Sequence, residues 1–233
     1  MEKIRLTGRL EYIQYPNFKN PEDNTYKNLF KDESGKVWFN KKNLASDDTL
    51  REFVGSNLVN LFNKQEVYSP KIRINKMIEG YFSEFKEWLN NYYDGLRGTI
   101  RRIKKSQKQH LIACIINNDF DRNLTNYKMS RNKLFVLDHA GGKGNSKKGI
   151  DFGAHAANVS KLIRPEYNPS YYKNGISILR KAMENGYYEE IINELSSEGI
   201  QECNEKLISM KENTKNIEDI INEMIKIIRK ENG

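Results

Sequence analysis

The spacing of apolar residues changes partway along the chain. In Val37-Trp38-Phe39-Asn40-Lys41-Lys42 the side chains alternate, which puts Val37, Phe39 and Lys41 on one face of a strand and Trp38, Asn40 and Lys42 on the other. Lys41 is the lysine expected on the inward face. Ile4 to Tyr15 is rich in β-formers and Pro16 to Asn24 is a polar break. Tyr26 to Phe30 and Lys36 to Lys42 flank the turn residues Asp32-Glu33-Ser34-Gly35, so a β-hairpin is expected there. Ser46-Asp47-Asp48-Thr49 then signals a helix start. Glu52 stands in capping-box register with Thr49, and Phe53, Val54, Leu58, Leu61 and Phe62 follow at helical spacing. Val67 to Ile74, interrupted by Pro70, predicts one or two short strands, and Asn75 to Gly80 a linker. Tyr81, Phe82, Phe85, Trp88, Leu89 and Tyr92 have the period of a long amphipathic helix.

Beyond residue 96 the pattern is mostly helical. Leu96 to Ile116 reads as one helix, basic in its first half and apolar in its second. It delivers the chain into the polar stretch 117–126, after which Lys133 to Leu137 forms a short apolar strand ending at Asp138. Residues 140–149 are too rich in glycine for regular structure. Further helices are expected from about Gly153 to Ile163, from beyond Pro169 to Asn185, and over Tyr187–Leu195, Gln201–Lys211 and Ile217–Lys230. The implied fold is α+β in two parts: a small β-rich unit with one helix over 1–78 and a mostly helical unit over 79–233.

Composition narrows the class. At 233 residues the chain can bury a sizeable core, and 13 Tyr and 10 Phe argue against disorder despite 30% charged residues. A net charge of +8 favours anionic partners without choosing among nucleotides, nucleic acid and acidic proteins. Cys114 and Cys203 do not form a metal-type pair, which suits a reducing compartment. No run approaches a membrane span and no apolar segment follows Met1-Glu2-Lys3-Ile4-Arg5, so a soluble cytoplasmic protein is expected, with export as an injected effector left open.

The candidate chemistry centres on Asn117 to Asn126. Asp121 and Asn126 have the D-x-x-x-x-N spacing of a phosphotransferase catalytic loop, and Asp138, twelve residues past Asn126, ends the next strand. Phosphoryl transfer asks an enzyme mainly to hold phosphates and metal and to place the acceptor hydroxyl. Asp121 would take the acceptor proton, and Asn126 and Asp138 would be magnesium ligands. Lys41, with Lys42 as the alternative, would contact the nucleotide phosphates, and Glu52 would hold Lys41 by an ion pair. Each residue also has a plainer reading. Asp121 and Asn126 would merely stabilise a turn, Asp138 would cap a segment, the lysines would be solvated, and Glu52 would close a capping box. Asp151, in Ile150-Asp151-Phe152-Gly153, spells a metal-binding Asp-Phe-Gly but follows a glycine-lysine loop, which makes it the second choice of metal ligand; His155 lies near it.

With these residues placed, the chain resembles the HipA-like atypical Ser/Thr kinases, distant relatives of the phosphatidylinositol kinases. The resemblance rests on Asp121-Arg122 and Asn126 as an Asp-Arg-x-x-x-Asn loop, on Leu137-Asp138-His139 in place of Ile-Asp-His, on Lys41 and on Glu52, in matching order from about residue 35 to 142. It implies a bilobal protein kinase-like fold and an ATP- and Mg2+-dependent enzyme phosphorylating a protein hydroxyl, its own chain among the candidates. No glycine-rich loop precedes Lys41, which motivates a second reading, a kinase-like binding module without catalysis. A small-molecule phosphotransferase is a third. The fourth is a basic helical nucleic-acid binder using Arg97, Arg101, Arg102, Lys104, Lys105 and Lys108, a run whose plainer explanation is a solvated helix face.

Overall fold

Asp32 builds the first tight turn. Its Oδ1 accepts hydrogen bonds from the amides of Ser34 and Lys36, both at 3.0 Å, and its Oδ2 accepts one from the Trp38 indole at 2.8 Å. Gly35 takes a φ of +83°, open to glycine at little cost. The expected hairpin of β2 (Asn28–Lys31) and β3 (Val37–Lys41) results. The computed structural model describes residues 4–13, 28–41, 46–63, 65–78, 80–85, 103–119, 126–130, 132–137, 139 and 172–231.

The protein is a mixed α+β fold. β1 (Glu11–Ile13), β2, β3, β5 (Ile72–Ile74) and β6 (Tyr81–Glu84) form an antiparallel sheet in the order β1-β2-β3-β6-β5. A second sheet has the order β4-β8-β7, with β4 (Val67–Tyr68) parallel to β8 (Lys133–Val136) and β7 (Tyr127–Ser130) antiparallel to it. The chain therefore passes from one sheet to the other between Tyr68 and Ile72. Pro70, which cannot donate to a ladder, lies in that crossing.

Two expectations need correction. Tyr81 to Glu84 is a strand, not the start of a helix: it closes the larger sheet between β3 and β5, with Lys41 opposite Tyr81 and Ile74 opposite Tyr81 on the other side. The sheet thus extends past residue 78. The helix expected over 96–116 is, within its described part, a single turn, α2 (Lys105–Lys108), followed by α3 (Leu111–Ile116). Buried polar side chains account for the break. Gln107 Nε2 donates to the carbonyls of Glu66 (3.0 Å) and Asn132 (2.7 Å), and Gln109 Oε1 accepts from the Gly175 amide (3.0 Å), so this segment is tied to distant backbone.

The other described helices follow the sequence pattern: α1 (Ser46–Val59), α4 (Lys173–Glu184), α5 (Tyr187–Ser196), α6 (Cys203–Lys215) and α7 (Ile217–Glu231); the helix expected from about Gly153 to Ile163 lies outside the described residues. One continuous core joins α1 (Leu50, Phe53, Leu58), the wholly buried α3, and α4 to α7. A smaller cluster of Leu6, Phe30, Trp38 and Phe82 covers the other face of the large sheet. Both faces are therefore packed. The Trp38 and Asn40 side is the more deeply buried, while Val37, Phe39 and Lys41, on the side shared with Tyr81, are half-buried. Both cysteines are buried, and neither forms a disulfide.

Tyr188, fully buried on α5, shares a 3.0 Å hydrogen bond with the Thr214 hydroxyl of α6. Burial pushes its phenol up to about 12, against the opposing effect of Thr214. Above pH 10 the unfolded phenol ionises while the folded one stays protonated. Its stability contribution is thus complete below pH 10 and is lost as pH rises towards 12, by about 2 kcal/mol. Urea midpoints at pH 9 and pH 12 should show this loss, and Tyr188→Phe should remove it. Equal slopes in the two proteins would contradict the assignment.

A candidate active site bridged by one helix

From Thr49 to Ser56 every residue of α1 is buried, although the run includes Arg51, Glu52 and Ser56. Buried polar groups require partners, and those partners mark the site. Glu52 Oε1 accepts the Tyr81 hydroxyl at 2.8 Å and lies 3.5 Å from Lys41 Nζ. The ammonium also sits 5.5 Å from the centroid of the Tyr81 ring. Thr49 lies inside the helix, three residues past its first, so Glu52 serves this pairing rather than a capping box with Thr49. One turn further on, Ser56 Oγ donates to the Pro70 carbonyl at 2.6 Å.

The opposite end of the site is the turn after α3. Asn118 adopts a φ of +55°, the Asp119 amide donates to the Cys114 carbonyl (2.9 Å), and the Asn118 amide donates to Ile115 (3.0 Å). This is a Schellman closure with asparagine in the left-handed position. Two carbonyls beyond those are met from α6: Asn213 Nδ2 donates to Ile116 (3.3 Å) and Lys206 Nζ to Asn117 (2.6 Å). Asn118 is held further by Ser209 and Asn213. The polar turn anticipated from the sequence is therefore a fully capped helix end, fixed by the C-terminal helices. Asn117 Nδ2 donates to the Arg51 carbonyl of α1 at 3.1 Å, so the same helix touches both ends of the site.

Between them lies a buried polar column. His139 Nε2 is 2.8 Å from Ser69 Oγ, and His139 Nδ1 is 3.4 Å from Asp119 Oδ2; all three residues are about 1% exposed. The tautomer that points Nδ1–H at Asp119 leaves Nε2 to accept the Ser69 hydroxyl. Asn60 holds the Ser69 backbone at both its amide and its carbonyl, each at 2.9 Å. The order hydroxyl, imidazole, carboxylate is that of a hydrolase triad. Ser69, however, is only about 1% exposed, which makes the column a packing element of this site.

Of the residues expected from sequence, Lys41 and Glu52 are brought together. Asn126 is 7% exposed, and its carbonyl accepts the Leu137 amide at 2.8 Å, which extends the β7–β8 register (Tyr127 opposite Val136) by one residue. Asn126 is thus set beside the residue that precedes position 138. Lys42, Asp121, Asp138, Asp151 and His155 lie outside the described residues, as do Arg97, Arg101 and Arg102 of the basic run. Of that run Lys104 is exposed and Lys108 half-exposed. Among the described residues no group of His, Cys, Asp and Glu is clustered for metal binding, and no helix is long and apolar enough to cross a membrane.

Sequence reasoning missed Tyr81, Ser69 and Gly55 and gave Asp119 no role. Asp119 carried one usable signal, an acid three residues after the last apolar position of a short helix, where the capped turn delivers it inward. Ser69 and His139 are 70 positions apart in sequence and carried none. No protein-family model matches the sequence, and no curated protein matches it.

Proposed function

We propose that the protein is a HipA-like atypical kinase, a bilobal enzyme that transfers the γ-phosphate of ATP to a Ser/Thr hydroxyl of a protein, its own chain included. The observation that carries this reading is the pair formed by the lysine of β3 and the buried glutamate of the helix that follows, on a helix that also grips the turn leading to Asp121. That arrangement is what holding a nucleotide's phosphates against an acceptor loop requires.

In this reading Lys41 contacts the phosphates, and Glu52 and Tyr81 fix the position of its ammonium. Half-buried Val37 and Phe39 on the same strand face offer an apolar surface to the base. Asp121 orients the acceptor hydroxyl and takes its proton as the oxygen–phosphorus bond forms, while ADP leaves with the pair of electrons from the broken bond. Asn126 and Asp138, with Asp151 as the alternative, would hold magnesium through amide and carboxylate oxygens, the hard donors that ion takes. Magnesium, when bound, supplies positive charge to the phosphate oxygens. The backbone bond from the Leu137 amide to the Asn126 carbonyl holds Asn126 at the end of the β7–β8 ladder.

The test is direct. Purified protein with γ-labelled ATP and magnesium should label itself or a generic protein acceptor, and ATP with magnesium should raise its melting temperature. Asp121→Ala should lower the transfer at least about a hundredfold with an unchanged fold. Absence of both labelling and magnesium-dependent stabilisation by ATP would overturn the reading.

A further inference from the structure

We propose that His139 is a positioning residue that sets the seat of α1, and through it the approach of Glu52 to Lys41. The proposal rests on the phosphotransfer reading only for its catalytic consequence. His139 joins three segments that the fold brings in from different directions: the crossing between the sheets at Ser69, the capped helix end at Asp119, and the chain leaving β8. A fourth element lies directly on the ring. A Cβ on Gly55 would come within 2.6 Å of His139 Cβ and Cγ and 2.7 Å of Asn117 Nδ2, so α1 rests against the imidazole as closely as a residue without a side chain permits. Gly55 is one turn from Glu52, and both belong to a buried, rigid stretch of helix. A displacement of His139 at Cβ or Cγ must therefore move the helix, because packed interiors do not deform continuously. The Ser69 hydrogen bond at Nε2 holds the ring, and with it Cγ, in place, with the Asp119 carboxylate 3.4 Å from Nδ1. The column is thus a gauge between the two ends of the site: the helix reaches Lys41 only when His139 stands with its edge between Ser69 and Asp119.

Amide hydrogen exchange of the full chain without nucleotide, resolved by segment, reads this directly. Ser69→Ala removes one buried hydrogen bond without changing the ring's volume. Exchange across α1 should quicken about tenfold while α5 and α6 stay protected, and phosphoryl transfer should fall with it. Gly55→Ala drives a methyl against His139 Cβ and Cγ and should quicken α1 exchange about a hundredfold, and adding His139→Gly, which removes both of those atoms, should open room for that methyl and return part of the protection. The proposal is overturned if Ser69→Ala leaves α1 exchange unchanged or quickens all helices alike, or if the double variant is no better protected than Gly55→Ala. Should Gly55→Ala fail to fold, the Ser69→Ala comparison decides alone. Wild-type protein that transfers no phosphate defeats the kinase reading and not the coupling, whereas transfer with an insensitive α1 defeats the coupling alone.

Discussion

Lys41→Met should destabilise the protein by about 2–3 kcal/mol and abolish ATP-dependent transfer, whereas Lys41→Met/Glu52→Gln should regain more than half of the stability and none of the activity. The expectation follows from the asymmetry of the pair. The Glu52 side chain is 3% exposed and that of Lys41 29%, so the carboxylate has given up its water while the ammonium has kept part of its own. Removing one partner of a fully buried pair costs about 3–5 kcal/mol because it strands the other charge. The partial exposure of Lys41 and the Tyr81 hydroxyl, which remains on Glu52 Oε1, bring the figure down. Glutamine carries no charge to strand and still accepts from Tyr81. Urea denaturation of the four proteins at one ionic strength gives the cycle directly. If Lys41→Met proves silent in stability, the pair is a solvated contact and not an anchored one. If the double variant keeps transferring phosphate, Lys41 does not handle the nucleotide.

The elements most legible in the sequence are those whose information is local. β2 and β3 declared themselves through alternation about an Asp-to-Gly turn, and α4 to α7 through amphipathic runs separated by residues such as Gly186, which takes a φ of +76°. Lys41 and Glu52 were legible because a strand and the helix after it place them in order. Tyr81 to Glu84 was misread because Tyr81, Phe82 and Phe85 satisfy a helical period, and only pairing with strands some 40 and 10 residues earlier settles them as a strand. The break between α2 and α3 depends on Gln107 and Gln109 finding carbonyl and amide partners far along the chain. The column at the centre of the site was the least legible part. Ser69, Asp119 and His139 are unremarkable singly, and their meeting depends on the crossing of the two sheets, a long-range feature that no window of sequence contains.

Asn213→Leu with Lys206→Met should cost about 3–4 kcal/mol and reduce transfer at least about tenfold, although both residues lie 80 or more positions from the candidate catalytic loop. Helix α3 is only six residues long and wholly buried, so its terminal carbonyls have no water to turn to. The local turn satisfies Ala113, Cys114 and Ile115 through the amides of Asn117, Asp119 and Asn118. Ile116 and Asn117 depend on α6: the first takes Asn213 Nδ2 and the second the Lys206 ammonium, whose charge also suits the negative end of a helix. Leucine and methionine approximate the volumes while removing every donor, so the loss is that of stranded carbonyls and not of a cavity. Asn118 also loses its contact with Asn213 and with it a reason to hold a φ of +55°, a strained value for a residue with a side chain. The turn then relaxes, Asp119 leaves His139, and the segment that carries Asp121 loses its fixed origin. Urea denaturation gives the stability loss, and transfer measured well below the melting temperature gives the activity loss. A variant destabilised as expected but fully active would show that the C-terminal helices only support the core. Loss of both places the anchor of the candidate catalytic loop in α6, far along the chain.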